Sequence, residues 1–423
     1  MACDIQHVPD PETLPLLLRG FTTLNVKSSA YSPSTCGHSP LARPIQEHLR
    51  YGVINLDKTA GPSSHEVVAW VKRILELEKT GHSGTLDPNV TGCLLVCLER
   101  ATRLVKSQQV LGKEYVCVVQ FKDLVAADKH ARADFERRLS STLELLTCAQ
   151  LQIPPKEGCA VKRQLRVREI YELELIELDF STGRAIVRAA CQAGTYMRTL
   201  CVHIGLLLGQ EAYMLELRRV RTGRLTEKTN LVTMHDVLDA YWRYKNLGEE
   251  AYLRRVVMPL EYLLVGMKRL FVKDSAVNAI TYGAPLRIPG LLRYEPTICT
   301  GDAVVLVTTK GEAIALGVAV MGAPDIMGAS HGVVATTKRV IMDRDVYEKQ
   351  WGLGPMAKER KALIAQGLLD KYGAPTEQTP REWIERWRSP EAEARFLATA
   401  GNTCANAATA PESSTRGQRG LKT

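Results

Sequence analysis

The sequence contains no apolar run of about 18 residues, so it predicts no transmembrane helix. The N-terminal stretch MACDIQHVPDPETLP lacks the basic segment and the apolar segment that make up a secretory signal. We therefore expect a protein of the cytosol or nucleus, with no membrane partner.

Cysteine pairs of the metal-binding kind are also absent. None of the 11 cysteines belongs to a Cys-x-x-Cys pair, which is the spacing typical of zinc sites. Most lie in apolar segments, for example Cys93, Cys97, Cys117, Cys191 and Cys201. Such cysteines usually act as small buried hydrophobic side chains in a reducing compartment. There is no phosphate-binding glycine loop either. The sequence thus predicts neither a metal nor another cofactor.

The composition is that of a folded, moderately basic chain. Of its 423 residues, 45% are hydrophobic and 24% are charged, which is enough core material for two or three globular domains. The net charge is +9 and the pI is about 8.9. This balance suits a nucleic-acid partner, but it does not identify one.

One carboxylate stands out by its surroundings. Asp87 lies in the stretch Gly81-His82-Ser83-Gly84-Thr85-Leu86-Asp87-Pro88, between an amphipathic helix predicted at about 64–76 and an apolar strand at 92–98. Ser63 and Glu66 form a capping-box signal at the start of that helix. An acid held rigidly at the end of a buried strand can serve as nucleophile or base. The alternative is an ordinary Asp-Pro turn.

Three other polar residues also lie at the ends of apolar elements. Lys58 follows a predicted strand at 53–56, Tyr115 begins one at 113–121, and Arg198 begins a helix. Arginine is the permanent cation that would keep a buried aspartate ionised, and an aromatic side chain could stack on a flipped base. Taken singly, however, Tyr115 is equally a half-buried strand residue and Arg198 a surface ion pair. Their spacing does not show that they meet.

The pattern changes near residue 265. Beyond it lie short strands separated by turn residues, at 270–272, 303–308, 313–321 and 333–341. Short strands of this kind predict a small β-barrel and a domain boundary near 265. From about 398 the chain has little apolar content, and we expect disorder there.

Four motifs together resemble the TruB/dyskerin family of RNA pseudouridine synthases. They are the stretch ending in Asp87-Pro88, Lys-Glu-Tyr at 113–115, Gly-Thr-Tyr-Met-Arg-Thr-Leu at 194–200 and Leu-Arg-Arg-Val-Arg-Thr-Gly at 217–223. The resemblance runs almost continuously from about 20 to 375 and includes 21–26, 64–70, 161–168, 253–257 and 273–280. The sequence resembles the branch of the family found in H/ACA ribonucleoproteins more than it resembles the stand-alone synthases.

The resemblance implies an α+β fold, with a mixed, largely antiparallel-sheet synthase domain and a small β-barrel PUA domain. The expected divisions are an N-terminal extension (1–50) packing near the PUA domain, the catalytic domain (51–265), the PUA domain (266–342), a C-terminal extension (343–397) and a disordered tail (398–423).

The resemblance also assigns residues to roles. Asp87 is implied as the catalytic residue. Five others are implied to bind substrate: Tyr115 packs on the target base, Arg198 pairs with Asp87, Leu217 lines the pocket, His82 engages the flipped nucleotide, and Lys58 is the lysine of the first family motif. The family usually has Lys-Pro where this chain has Lys58-Thr59, which leaves the local loop geometry open. In the PUA region, the expected phosphate contacts are Lys268, Arg269, Lys273, Arg287 and Lys338.

The implied function is that of the catalytic subunit of an H/ACA small nucleolar ribonucleoprotein. It would isomerise guide-selected uridines of rRNA, and of small nuclear RNA, to pseudouridine and so contribute to rRNA processing and ribosome biogenesis. The implied partners are a guide RNA, a substrate RNA and three small core proteins, in the nucleus and nucleolus. The C-terminal end has little charge, so a nuclear import signal is not obvious. The alternatives are a stand-alone tRNA pseudouridine synthase and an RNA-stabilising scaffold.

Overall fold

The computed structural model describes residues 15–29, 32–122, 124, 128–155, 162–350, 355–371 and 373–386. The chain falls into two compact units, Met1–Lys349 and Gln350–Thr423. The tail predicted to be disordered lies outside the described residues, as do the first 14. In the described part of the chain, no helix has both the length and the apolar character needed to cross a bilayer.

The strands all belong to the first unit. They are β1 (Asn25–Val26), β2 (Gly52–Lys58), β3 (Thr80–His82), β4 (Thr91–Leu98), β5 (Lys113–Phe121), β6 (Ala149–Gln152), β7 (Arg166–Asp179), β8 (Arg184–Cys191), β9 (Ala212–Thr222), β10 (Leu225–Thr226), β11 (Leu231–Val232), β12 (Met258–Pro259), β13 (Lys268–Val272), β14 (Leu286–Arg287), β15 (Leu291–Tyr294), β16 (Ala303–Val307), β17 (Ala313–Ala319) and β18 (Val333–Val340).

The helices occur in both units. In the first they are α1 (Ile45–Arg50), α2 (Ser64–Ile74), α3 (Val105–Gln109), α4 (Lys129–Leu146), α5 (Met197–Leu208), α6 (Met234–Leu247), α7 (Glu250–Val256), α8 (Asp274–Thr281) and α9 (Ala323–Gly328). The second unit has α10 (Pro355–Ala365) and α11 (Arg381–Arg386). Short 3₁₀ helices cover Leu16–Leu18, Phe21–Thr23, Glu99–Leu104, Leu260–Leu264 and Ile288–Gly290.

A large mixed sheet forms the body of the first unit. Its main path runs β11-β2-β4-β9-β5-β8-β7-β6, with β3, β10 and β12 paired beside it. All neighbours are antiparallel except the pairs β2/β11 and β4/β9. This sheet and the separate smaller sheet confirm the predicted α+β class, with a largely antiparallel larger sheet.

The contact between β4 and β9 depends on a glycine. Gly92 pairs with Arg219 and has a φ of 103°, in the region that favours glycine. A Cβ atom at this position would lie 2.3 Å from the carbonyl oxygen of Arg219. The glycine therefore lets β4, which follows the Asp87 loop, approach β9 closely.

Helices α4 and α5 cover one face of the large sheet. Leu200 and Ile204 of α5 pack with Leu139 of α4 against Cys117 and Val187 of the strands. Gly209 ends α5 in the left-handed conformation, as predicted for its C′ position. The capping box of Ser63 and Glu66 is also present at the start of α2. The five cysteines predicted to be buried are buried.

The smaller sheet has the order β1-β15-β13-β16-β17-β18-β14 and surrounds its own apolar core. Its first strand comes from the N-terminal segment, since Asn25 pairs with Tyr294 and Val26 with Arg293. The N-terminal segment is therefore part of this sheet.

A buried ion pair joins three parts of the first unit. Arg43, from the N-terminal segment, donates from Nη1 and Nη2 to the carboxylate of Glu261, at 3.0 and 2.6 Å. Glu261 also accepts a hydrogen bond from the backbone N–H of Ala313 in β17, at 3.1 Å. The side chains are only 2% and 0% exposed. We call Arg43 and Glu261 the junction pair.

Candidate active site

The loop that carries Asp87 is fixed to the start of helix α2. Ser64 Oγ accepts a hydrogen bond from the N–H of Leu86 at 2.8 Å and donates one to its carbonyl at 3.0 Å. The Leu86 side chain is buried, and the N–H of Val90 bonds to the carbonyl of Asp87 at 3.0 Å. The backbone on either side of Asp87 is thus held in place.

Lys58 holds the same loop from the other side. It is 1% exposed, and its Nζ donates to the carbonyls of Thr59 (2.8 Å), Pro88 (2.8 Å) and Val90 (2.9 Å). Burial lowers its pKa. A proline at position 59 would offer the same carbonyl, so the departure from Lys-Pro removes none of these bonds. Lys58 was expected to bind substrate, but here its ammonium group binds the loop backbone.

Asp87 meets Arg198 at the first turn of α5. Arg198 Nη2 lies 2.9 Å from Asp87 Oδ2, and the two side chains are 31% and 42% exposed. The start of α5 is itself fixed, because the N–H of Tyr196 donates to Gln152 Oε1 at 2.9 Å. The arginine can therefore compensate the charge of the carboxylate and orient it.

A cavity of about 500 Å³ brings four of the six predicted site residues together. Asp87, Arg198, Tyr115 and Leu217 all line it. Among the described residues, Asp87 is the one carboxylate in this lining. Burial of the hydroxyl raises the pKa of Tyr115, so the phenol stays protonated at neutral pH.

His82 lies next to this cavity and is not part of its lining. Its ring packs edge-on against the His65 ring, with centroids 5.0 Å apart, and its Nδ1 accepts a hydrogen bond from the N–H of Gly84 at 3.3 Å. Burial and the neighbouring His65 lower its pKa. The imidazole is therefore neutral at pH 7 and supports the turn that precedes Asp87.

Two cavity residues were missed by the sequence interpretation. Arg219 is 1% exposed, and Lys113 donates from Nζ to the carbonyls of Gln108, Gln109 and Leu111 at 3.1, 2.9 and 2.6 Å. Burial and the charge of Arg219 lower the pKa of Lys113 to about 8. Strand alternation could have identified both. Residues two apart in a strand share a face, so Lys113 lies on the same face of β5 as Tyr115, and Arg219 lies on the same face of β9 as Leu217.

Two of the five expected phosphate contacts have partners within the protein. Lys268 Nζ pairs with Asp302 at 2.6 Å, and Arg269 pairs with Glu295 at 2.6 Å while donating to backbone carbonyls. We do not include Lys268 and Arg269 in the proposed RNA interface, because each already forms an ion pair within the protein. Lys273 occupies the N-cap position of α8 without a side-chain capping bond, and Arg287 is exposed in β14.

Lys338 lies in a second cavity, of about 850 Å³, between the two sheets. Its lining is strongly cationic and includes Arg50, Arg100, Arg103, Lys338, Arg339 and Arg344. Asp343 is the carboxylate in the described lining, and it pairs with Arg50 at 2.5 Å and Arg100 at 3.2 Å. We call this second cavity the cationic cavity. The excess of positive charge in its lining favours binding of a polyanion.

Four family models match the chain in succession. Residues 11–68 match the DKCLD (NUC011) domain, and residues 72–197 match the TruB family pseudouridylate synthase N-terminal domain. Residues 198–265 match the C-terminal domain of tRNA pseudouridylate synthase B, and residues 268–341 match the PUA domain. All four predicted residues that line the candidate active site thus fall within the two pseudouridylate synthase models.

Comparisons over most of the chain point to the same family as these models. The chain is 59% identical to the H/ACA ribonucleoprotein complex subunit cbf5 of Schizosaccharomyces pombe, over 89% of this chain and 78% of that one. It is 39% identical to a chain in a structure of an H/ACA RNP bound to a substrate RNA containing 2′-deoxyuridine, with a TM-score of 0.68 and coverage of 78% and 97%. It is also 39% identical to a chain in a Cbf5-Nop10-Gar1 complex, with a TM-score of 0.67 and coverage of 80% and 98%.

Proposed function

The chain belongs to the TruB family of pseudouridylate synthases, in the branch of H/ACA ribonucleoprotein complex subunits, and from this premise we propose that it isomerises guide-selected uridines of rRNA to pseudouridine. The observation that carries the proposal is the Asp87–Arg198 pair on the wall of a cavity that also contains Tyr115 and Leu217. Small nuclear RNAs are a second proposed substrate class.

The reaction fits what the cavity offers. Pseudouridine has the same atoms as uridine, with a C–C bond in place of the C–N glycosidic bond, so the conversion needs no redox partner and no group donor. It needs a flipped base, a carboxylate and a closed space in which the ring can turn. We propose that Asp87 supplies the carboxylate and that Arg198 compensates its charge and orients it. Tyr115 and Leu217 would hold the ring.

The remaining predicted site residues act indirectly in this proposal. Lys58 fixes the loop that carries Asp87, through the carbonyls of Pro88 and Val90. His82 supports the preceding turn through the N–H of Gly84. Their positions favour a role in holding Asp87 over direct contact with the nucleotide.

We propose that the guide RNA lies along the smaller sheet and across the cationic cavity. Lysine and arginine contacts to phosphates dominate RNA affinity and make it salt-dependent. Lys338 and Arg339 are exposed at the end of β18, on the rim of that cavity. The proposed small partners follow from the relatives: one solved complex contains Nop10 and Gar1 with a chain similar to this one. A third core protein and a nucleolar location are further parts of the proposal.

Replacing Lys338 and Arg339 by alanine is expected to weaken guide-RNA binding and to reduce the slope of log affinity against log salt by about one to two. The measurement is a binding titration at several salt concentrations with the assembled core proteins. Lys245→Ala is the matched control, since this exposed lysine pairs with Glu76 on another part of the surface. An unchanged salt slope in the double variant would contradict the proposed interface.

A reconstituted particle separates the guided enzyme from its alternatives. With the small core proteins and a guide RNA, we expect conversion only of the uridine that the guide leaves unpaired, read by nucleoside mass spectrometry. Conversion of a tRNA by the bare chain would favour a stand-alone synthase. RNA binding without any conversion would favour a scaffold. The pairing of the N-terminal strand β1 with β15, and the matched DKCLD and PUA models, favour the guided enzyme.

A further inference from the structure

Three arginines of β9 differ in how their charge is compensated. Arg218 pairs with Asp57 at 3.0 Å and Arg221 with Glu114 at 2.8 Å. Arg219 lies between them, is buried, and has no carboxylate within ion-pair distance among the described residues. A buried charge without a counter-charge is strongly unfavourable. Its position in the wall of the candidate active site therefore points to an interaction with a group that enters the cavity.

The hydrogen bonds of Arg219 aim its guanidinium group but do not neutralise it. Nε donates to the carbonyl of Cys93 at 2.8 Å, and Nη2 donates to the carbonyl of Gly84 at 3.2 Å. Tyr115 is the cross-strand partner of Arg219 in the pairing of β5 with β9. Both carbonyl acceptors are neutral, and a guanidinium has five N–H groups. The group is thus rigidly placed, next to the predicted base-contacting residue, with donor capacity left over.

The cavity as a whole has more cations than anions. Its described lining contains Arg198, Arg219 and Lys113 and the single carboxylate Asp87, which pairs with Arg198. The three bonds of Lys113 Nζ also go to neutral carbonyls. Arg219 and Lys113 therefore remain without a carboxylate in this site, and because both are buried, their electrostatic interactions are stronger than in water. Such a site favours a ligand that is, or becomes, an anion.

The uracil ring becomes an anion in each chemical route open to Asp87. If the C1′–N1 bond breaks with its electron pair on N1, uracil is released as an anion delocalised over O2 and O4. This holds whether Asp87 attacks C1′ or removes a sugar proton. If Asp87 instead adds to C6 of the ring, the displaced electron pair moves to C5 and O4. In each route the C1′–N1 bond breaks, C5 bonds to C1′, the C5 proton is lost to solvent, and N1 gains a proton. A bond from Asp87 to C1′ is displaced by C5, a bond to C6 is eliminated, and a proton taken from the sugar is returned to it, so the atoms balance.

We propose that Arg219, assisted by Lys113, stabilises the negative charge that develops on the uracil ring. The inference rests on the proposed pseudouridine synthase function and adds a second catalytic group to Asp87. It also gives Arg198 and Arg219 different roles. Arg198 balances the negative charge of the Asp87 carboxylate, and Arg219 balances the negative charge that develops on the uracil ring. Removing one preorganised donor of this kind typically slows the chemical step by about 10²–10³-fold.

The competing explanation is purely structural. Arg219 bonds to backbone carbonyls on both sides of the Asp87 loop, so its loss could slow the reaction by displacing that loop. A structural defect would lower the rate by the same factor for any uridine analogue. A defect in charge stabilisation depends instead on how stable the ring anion is by itself. Because fluorine at C5 withdraws electrons, it stabilises that anion without relying on the protein.

The test compares uridine with 5-fluorouridine at the target position, in reconstituted particles with Arg219→Gln or Arg219→Lys. Single-turnover consumption of the target nucleoside is followed by mass spectrometry, and substrate affinity is measured separately. For Arg219→Gln we expect a loss of about 10²–10³-fold on uridine, with affinity nearly unchanged, and a loss at least about tenfold smaller on 5-fluorouridine. Arg219→Lys keeps the charge and should lose less. Arg221→Gln is the matched control on the same strand.

Equal losses on the two substrates in Arg219→Gln, or an equal loss of about tenfold or more in Arg219→Lys, would overturn the proposal. If Arg219→Gln does not assemble, the same comparison with Arg219→Lys decides. A wild-type particle without activity would instead count against the proposed function itself, because every Arg219 result is a ratio to the wild-type rate.

Discussion

Replacing Asp87 by asparagine is expected to abolish conversion of the target uridine, while guide and substrate RNA stay bound within a few fold. Asparagine has nearly the same shape but is neither a nucleophile nor a base of useful strength. The described cavity lining has no other carboxylate to take over. The loop should keep its position, since Ser64 and Lys58 bind backbone atoms of Leu86, Pro88 and Val90. We expect a loss of at least about 10⁴-fold in single-turnover rate.

The matched control for this prediction is Asp179→Asn. Asp179 is an aspartate of the same sheet whose carboxylate accepts hydrogen bonds from Ser181 and Thr182 in a surface turn. Its replacement should leave the rate within a few fold. Retention of a tenth or more of the wild-type rate by Asp87→Asn would remove Asp87 from the catalytic role.

The second large effect is expected on stability, at the junction pair. Glu261→Gln leaves the guanidinium of Arg43 buried opposite a neutral amide, and breaking a buried ion pair in this way costs about 3–5 kcal/mol. The amide can still accept the bond from the N–H of Ala313, so most of the loss should come from the unpaired charge. Because Arg43, Glu261 and Ala313 come from three different segments, the variant should also loosen the attachment of the N-terminal segment.

Urea denaturation of the full chain measures this loss as a difference in the free energy of unfolding. Glu211→Gln provides the comparison, since Glu211 and Lys122 form an exposed pair with side chains 67% and 58% exposed. Exposed pairs contribute about 0–1 kcal/mol. Similar free energies of unfolding for Glu261→Gln and Glu211→Gln would show that the buried junction pair contributes no more to stability than an exposed ion pair.

Local patterns in the sequence predicted much of the fold. The strand expected at 113–121 is β5, because alternating β-branched and aromatic residues fit a pleated sheet with one buried face. The run Phe21–Val26 has the residue pattern of a strand, yet only Asn25 and Val26 pair with β15. Phe21 instead packs on Phe271, with ring centroids 5.1 Å apart. A tertiary contact thus determines the conformation of this short segment.

The candidate site was predicted less completely, for a physical reason. Arg218, Arg219 and Arg221 look alike in the sequence, and only the pairing of β4 with β9 places Arg219 in the cavity wall. Lys58 could equally have faced the cavity, but its ammonium group lies among carbonyls of the Asp87 loop. The direction of a long cationic side chain depends on acceptors that are distant in the sequence, such as Asp302 for Lys268.

The most direct test of the account is tritium release from a substrate RNA labelled at C5 of the target uridine. Forming the new bond at C5 expels that hydrogen, so each conversion releases one tritium to water. A reconstituted wild-type particle with a matching guide should release about one tritium per target, and either Asp87→Asn or a non-matching guide should release none. Release that continues with Asp87→Asn, or without a matching guide, would contradict the central claim.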